Sequence, residues 1–448
     1  MEGASNRERH SDIVIVGSGI FGLSTAVHLA KSTSKNDRLN VILLDVRPYH
    51  PSPHTGGASN DVNKIVRADY DDPFYMELAY EALDAWNSDP EFVDRGVFHR
   101  TGWVLFDKKV GGEEKDQPST PPRNTPIICS SVRSGNRIRE NFRKSSRPDQ
   151  TVSVTANDLK HKWAGVLGQT DLNVYEPAYF NPEPGWVDVP AAMRIMFDRA
   201  LRNGVVKYEV EEVIGFELDD DKGTVKGVRC KNGNFYKANK VLLATGAWTS
   251  RLMAPLEDEL GLPDDQRVES QVSAYAVCVA QFRLSPDEAE LYGKAPIAIF
   301  GDRVDLIPPT KDGILKFNTL RYLNTSITGS GRKITGPTDR DQSEIPDDIK
   351  EIALVDIRKV APQLLRDGRS VDIWRACWDC GPPDRNMLIC RHPHSKLSNL
   401  YLAIGGSSHS WKFLPIIGKY VANVVNGMGN GEEKDERWKW RARVATAS

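Results

Sequence analysis

The turn Gly17-Ser-Gly19-Ile-Phe-Gly22 limits the fold of this chain more than any other feature. The apolar run Asp12-Ile-Val-Ile-Val leads into it, a helical pattern over 23–31 leaves it, and a second strand pattern runs over 41–45 and ends on Asp45. Strand, glycine turn, helix and a strand closing on an acid form the βαβ unit that binds dinucleotides. Gly17 permits the tight turn, Gly19 lets a pyrophosphate approach the backbone, and Gly22 lets helix and strand pack closely. Free N–H groups at the helix start then face the phosphates. Asp45 is placed to accept hydrogen bonds from ribose hydroxyls. The rival reading, a structural glycine turn without a ligand, has no use for Asp45.

The 448 residues allow two or three domains at about 150 residues each. Lys and Arg number 59 against 61 Asp and Glu, a net charge of −2, which gives nucleic acid no reason to be the main partner. Six cysteines are too few for a disulfide scaffold, so a reducing, cytoplasmic setting is expected. Residues 13–30 hold no Asp, Glu, Lys or Arg, but glycines, hydroxyl side chains and His28 interrupt them, so no membrane span is expected. The first residues lack the basic-then-apolar layout of a secretion signal. The closing Ala-Thr-Ala-Ser is neither a peroxisomal tripeptide nor a prenylation box.

Glycine turns recur after apolar strands later in the chain, at Val241-Leu-Leu-Ala-Thr-Gly246 and at Leu400-Tyr-Leu-Ala-Ile-Gly405-Gly406. Helical patterns run over 191–201 and 415–426, with hairpin-like runs over 208–218 and 227–236. Nucleotide-binding elements therefore lie at the start, middle and end of the chain. The expected fold is α/β: a Rossmann-like dinucleotide domain, discontinuous in sequence, with an inserted α+β substrate domain on a mixed or antiparallel sheet. The first is assigned 11–92, 185–252 and 371–440, and the second 93–184 and 253–370. The segment 107–153 is rich in Lys, Arg, Ser, Pro and Gly and reads as a surface excursion. Its Arg133, Arg137, Arg139, Arg143 and Lys144 suit a solvated loop better than a docking patch.

Five local motifs occur in order: the opening glycine turn with Asp45, Asn60-Asp-Val-Asn-Lys64-Ile-Val-Arg67, Gly313-Ile-Leu-Lys316, Arg375-Ala-Cys377-Trp378 and Gly405-Gly-Ser-Ser-His409-Ser-Trp-Lys412-Phe. With them the chain resembles, over about 12–426, the FAD-dependent amine oxidases of the D-amino-acid-oxidase superfamily. The branch holds monomeric sarcosine oxidase, pipecolate and saccharopine oxidases, and the fructosyl amino acid oxidases (amadoriases). The resemblance implies FAD as cofactor, anchored by a thioether from Cys377, and no metal. Other readings of Cys377 stay open: an unmodified core thiol, or a pair with Cys380. Gly381-Pro382-Pro383 argues against the helix a redox pair would want, and no second Cys or His pair supports zinc.

The same resemblance places Lys316 beside the flavin, where a fixed cation stabilises charge developing on oxygen. It places Lys64 at the flavin edge, Gly246 near the dinucleotide, and the N–H groups around Gly405 and Gly406 against the flavin. Arg67 and Lys412 clamp a substrate carboxylate, as in the sarcosine and pipecolate branch rather than the amadoriases. The plain alternative makes Arg67 an exposed helix-start residue among Asp69, Asp71 and Asp72, and Lys316 a surface lysine. His409 lines the active site or is structural. Trp411 and Asp305 depart from the residues expected there and imply a reshaped pocket, in which Asp305 either holds a second cationic group of the substrate or faces solvent. The implied activity is oxidation of a secondary amine, an N-substituted or cyclic amino acid, by O2 to give H2O2 and an imine that is hydrolysed or closes a ring. The partners are then a small-molecule amine and O2, and the protein a monomer.

Overall fold

The apolar run before the glycine turn becomes the strand Glu8–Val16, which lies in the middle of an eight-stranded sheet. It pairs in parallel with Val41–Asp45 on one side and Phe235–Leu243 on the other. Val206–Val210 continues the parallel run beyond Val41–Asp45, and Leu400–Ile404 pairs in parallel with Phe235–Leu243. These central strands are covered on both faces, which is why they read as unbroken apolar runs. Ile13, Ile15, Val41 and Leu43 pack under the helices Ile20–Ser32, Val189–Leu201 and Ile417–Val425. Val14, Val16, Ile42 and Leu44 join a second core with Met253, Leu256, Ala276 and Trp378. The computed structural model describes residues 8–33, 39–49, 56–109, 135–145, 147–219, 223–329, 331–339 and 341–442.

A second sheet of eight strands stands beside the first, in the order Ile373–Gly381, Ser273–Arg283, Ile314–Leu323, Val304–Ile307, Ile297–Phe300, Trp103–Lys108, Tyr175–Asn181 and Val152–Ser153. It is mixed: Ile297–Phe300 runs parallel to Trp103–Lys108, and the other pairs are antiparallel. A small three-stranded sheet, Asn63–Val66, Gly185–Asp188 and Phe98–Arg100, lies between the long segments. The α/β fold with a discontinuous nucleotide layer is thus observed. Among the described residues no helix is long and apolar enough to cross a membrane.

Two assignments change. The strand Ile373–Gly381, grouped above with the nucleotide domain, pairs along its whole length with Ser273–Arg283 and forms the edge of the second sheet. Its apolar pattern identifies a buried strand but not the partner it pairs with. Of the segment 107–153, residues 110–134 and 146 lie outside the described residues, Arg133 among them. Within the remainder the helix Gly135–Lys144 is docked rather than solvated, because it buries Ile138 and Phe142 in the main core. Two apolar residues at i, i+4 suffice to dock a helix whose other positions are charged, and average composition conceals them.

Gly22 is fixed by packing. A Cβ there would lie 1.9 Å from the Gly17 carbonyl oxygen. Gly22→Ala is expected to cost about 1–3 kcal/mol by overpacking. A urea-unfolding midpoint equal to that of the unaltered protein would contradict this.

Candidate active site

The parallel strands end at Val16, Asp45, Leu243 and Ile404, and the glycine turns that follow open into one cavity of about 940 Å3. Ligands of open α/β sheets bind at these carboxyl ends. Gly17, Gly19, Asp45, Lys64, Arg67, Gly246, Lys316, Cys377, Gly405, Gly406, His409 and Lys412 all line it. Gly22, also expected at the cofactor, does not, because it packs against Gly17 behind the turn.

At one end the walls suit a dinucleotide. A Cβ on Gly17 would meet the Ala244 carbonyl oxygen at 2.6 Å, and one on Gly19 would meet Ser59 Oγ at 2.7 Å. At Gly17 and Gly19 themselves there is therefore no room for a side chain. Asp45 Oδ2 accepts from the Ser18 N–H at 2.7 Å and from Ser18 Oγ at 2.8 Å, which fixes its carboxylate at the mouth of the turn. Across the cavity Gly405, Ser407 and Ser408 take left-handed backbone, at φ 83°, 49° and 57°. Asp379 accepts from the Ser408 N–H at 2.7 Å and holds that turn. Left-handed non-glycine residues concentrate at ligand sites, where surrounding structure supports their strain.

A charge cluster occupies the centre. Asp61 is 1% exposed and Lys316 0%. Asp61 Oδ2 lies 2.9 Å from Lys316 Nζ, 2.7 Å from Lys64 Nζ and 3.7 Å from Arg375 Nη1. Lys316 also donates to the Asn63 carbonyl at 2.6 Å. Lys64 Nζ lies 3.7 Å from Cys377 Sγ. Burial works against the Asp61 charge, but Lys316, Lys64 and Arg375 together hold its carboxyl far below the usual carboxylate range. One anion serves three cations, so the cations do not fare alike. Burial lowers Lys316 to about 8, with Asp61 opposing and Lys64 adding to the fall. For Lys64 burial also disfavours charge, but Asp61 outweighs it and the proton is held more tightly than usual.

Beyond the cluster Arg67, Tyr70, His409 and Lys412 interlock. The Arg67 guanidinium donates to the Asp69 carbonyl and lies 4.5 Å from the Tyr70 ring and 4.9 Å from the Trp103 ring. Lys412 Nζ donates to Tyr70 Oη at 2.7 Å, and Tyr70 Oη meets His409 Nδ1 at 3.0 Å. His409 Nε2 meets the Arg385 carbonyl at 3.0 Å. Burial, then the charges of Lys412, Arg385 and Arg67, push His409 well below an ordinary imidazole, so it stays neutral at working pH. Arg67 is 8% exposed, which removes its reading as a surface residue. Asp71 and Asp72 pair instead with Arg137 and Arg437. Lys316 is likewise no surface lysine.

Strand alternation separates the two nearby cysteines. Cys377 and Asp379 line the cavity and Arg375 reaches Asp61 in the same cluster, while Cys380 is buried in the opposite core with Ala376. They do not form a pair. Arg375 donates to the Asn60 carbonyl at 2.6 Å and to the Gly57 carbonyl at 3.1 Å, tying the strand that carries Cys377 to the loop that carries Asp61. Trp411 stacks on Trp86 and donates to the Ser59 carbonyl at 3.0 Å, so this bulky residue braces the same loop. Asp305 is 5% exposed and lines the cavity. Asp61, Tyr70, Asp379 and Arg385 were not read from the sequence as site residues. The only signal for Asp61 was its place three residues before Lys64.

The family model described as FAD dependent oxidoreductase matches residues 12–424. The chain is 28% identical over 450 residues to the L-saccharopine oxidase of Schizosaccharomyces pombe, covering 96% of this chain and 93% of that protein. It is 25% identical over 425 residues to a monomeric sarcosine oxidase of a Bacillus species, covering 93% of each. The crystal structure of Amadoriase I from Aspergillus fumigatus, a fructosyl amine: oxygen oxidoreductase, superposes with a TM-score of 0.72 at 26% identity. That match covers 98% of this chain and 91% of the other.

Proposed function

The chain belongs to the family of FAD dependent oxidoreductases, and from that membership we infer that it oxidises a secondary amine with O2 as acceptor. The substrate is an N-substituted or cyclic amino acid of the sarcosine, pipecolate or saccharopine type. The observation that carries this reading is the meeting, in one cavity, of the dinucleotide turn, Cys377, Lys316 and the two cations Arg67 and Lys412. FAD, when bound, would supply two-electron chemistry, accepting a hydride from a carbon next to the amine nitrogen with O2 as the final acceptor, reduced to H2O2. Gly17, Gly19 and Gly246 would border its ADP half and Asp45 would accept from the ribose hydroxyls, and Gly22 keeps the turn closed. Gly405 and Gly406 would offer N–H groups to its other end, and Cys377 would supply the sulfur of a thioether. FAD binding then falls to 11–92, 185–252 and the part of 371–440 beyond Gly381. Residues 93–184 and 253–370 carry the substrate side together with the strand Ile373–Gly381.

Arg67 and Lys412 hold the substrate carboxylate and set the α-carbon in register. Neutral His409 positions Tyr70, and Tyr70 positions Lys412. No side chain here needs to remove a strongly held proton, because the amine lone pair drives loss of the α-hydrogen. The enzyme acts as a cytoplasmic monomer on a small-molecule amine. A second reading, a fructosyl amino acid oxidase, is favoured by the likeness to Amadoriase I. A carboxylate held by the buried Arg67 and Lys412 is common to both readings, and the amines turned over distinguish them.

Anaerobic addition of an N-methyl amino acid should bleach the yellow protein, and O2 should restore the colour with release of peroxide. Failure of every secondary amine to bleach it contradicts the reading. Lys316 is the cation assigned to the oxygen step, and Lys316→Met should slow that step on the order of 10²–10³-fold, far more than the anaerobic step. Because Lys316 is lowered to about 8, the oxygen step should be fast below that pH and decline as pH rises through it. Stopped-flow traces that are flat with pH, or alike in the variant, contradict the role.

A further inference from the structure

We propose that Tyr75 and Arg441 are positioning residues for the carboxylate clamp, acting through the turn 382–387 to decide which nitrogen of His409 carries the hydrogen. The inference rests on the reading of Lys412 given above. A carbonyl oxygen only accepts, so the contact of His409 Nε2 with the Arg385 carbonyl at 3.0 Å needs the hydrogen on Nε2. Neutral imidazole then has a bare Nδ1, which accepts from Tyr70 Oη at 3.0 Å. With its hydrogen committed to His409, the Tyr70 oxygen accepts from Lys412 Nζ at 2.7 Å. The chain therefore has one direction, from the Lys412 ammonium to the Arg385 carbonyl. A hydrogen on Nδ1 instead would set the bare Nε2 against a carbonyl oxygen and turn the Tyr70 hydroxyl away from the ring. The Arg385 carbonyl thus orients the groups that hold Lys412.

Residues 382–387 join the strand Ile373–Gly381 of the second sheet to Leu388–Arg391 of the first. Arg385 takes left-handed backbone there, at φ 61°, which in a residue with a side chain persists only where its surroundings hold it. Two side chains from distant parts of the sequence hold this turn. Tyr75, 4% exposed, donates from Oη to Asn386 Oδ1 at 3.0 Å and accepts from the Met387 N–H at 3.3 Å. Its ring meets the His409 ring edge to face at 4.8 Å, so one residue braces both the imidazole and the turn. Arg441 donates from Nε to Asp384 Oδ2 at 2.7 Å and from Nη2 to the Asn386 carbonyl at 3.2 Å. Gln271 anchors the Arg441 backbone, accepting from its N–H at 2.8 Å and donating to its carbonyl at 3.1 Å. Neither Tyr75 nor Arg441 is among the described residues that line the cavity, so both act on the clamp through His409.

Tyr75→Phe removes only a hydroxyl, and Arg441→Gln changes a side chain near the end of the described chain, so both variants should fold and hold flavin. The first readout is the tautomer of His409 in the holoenzyme, by proton–nitrogen correlation NMR with nitrogen-labelled histidine rings. The His409 signal is identified by its loss in His409→Gln. The unaltered protein should carry the hydrogen on Nε2, and each variant should show a second population with it on Nδ1. The second readout is turnover of sarcosine and L-pipecolate. KM should rise about two- to tenfold in each variant with kcat changed less than about twofold, the size expected of one lost hydrogen bond. Because both residues act on one turn, the double variant should fall short of the product of the two effects. Arg441→Lys, which keeps the charge facing Asp384, should restore part of both readouts. A tautomer unchanged in both variants, a shifted tautomer with unchanged KM, or a hydrogen on Nδ1 in the unaltered protein overturns the proposal while the amine-oxidase reading stands. If no secondary amine is turned over, that reading fails instead, and the tautomer populations still decide whether Tyr75 and Arg441 set His409.

Discussion

Cys377→Ser is expected to yield an enzyme whose flavin leaves with the acid supernatant, whereas the unaltered protein keeps its yellow colour in the precipitate. Cys377 sits on an edge strand, 5% exposed, with its sulfur toward the cavity. A thioether to the flavin would need a nucleophilic sulfur and, as an S–H and a C–H bond give way to C–S, the transfer of two electrons and two protons to O2. Lys64 Nζ lies 3.7 Å from that sulfur. Serine keeps the shape of the site but is a far weaker nucleophile at neutral pH, so the bond should not form while the cavity remains. Release of the flavin by acid from the unaltered protein would show that Cys377 is only a core thiol. Mass spectrometry of the peptide spanning 373–381 reads the same difference directly.

Asp61→Asn should destabilise the holoenzyme by about 3–5 kcal/mol, the usual cost of removing one member of a buried ion pair. Asparagine fits the space but leaves Lys64, Lys316 and Arg375 facing one another without the carboxylate. The pH dependence has a definite sign. The folded-state value of Asp61 is depressed, so its contribution is fully present above the unfolded carboxyl value of about 3.9 and is lost as pH falls through the folded value. Lys316, lowered to about 8, works the other way: its charge weakens the fold below that pH, and the penalty is relieved as pH rises toward the unfolded value of about 10.4. The difference between Asp61→Asn and the unaltered protein should therefore be large in urea unfolding at pH 7 and shrink in acid. A difference under about 1 kcal/mol at pH 7 would mean that relaxation or water offsets the missing charge.

The parallel strands were legible because burial on both faces leaves few polar residues to blur them, and Val41–Asp45 and Leu400–Ile404 were placed to the residue. The glycine turns were legible because each serves a backbone requirement that few other residues meet. Sheet membership was not, since the pattern of Ile373–Gly381 is the same whichever neighbour it pairs with. The helix Gly135–Lys144 was hidden because two buried side chains, Ile138 and Phe142, carry it through a charged window. The cations of the site stood out within their motifs, but their anion did not. An aspartate in a loop is ordinarily a solvated turn residue, and only the meeting of Lys316, Arg375 and Lys64 makes Asp61 the centre of a buried cluster. Such a role depends on contacts between residues separated by hundreds of positions, which local pattern does not record.

The most direct test of the central claim is peroxide release by the purified yellow protein against one panel: sarcosine, N-methyl aromatic amino acids, L-pipecolate, L-saccharopine, fructosyl-valine and fructosyl-lysine. Turnover of the free N-substituted or cyclic amino acids, with Arg67→Gln raising KM for them, is the predicted result. Turnover confined to the fructosyl compounds, insensitive to Arg67, would contradict it.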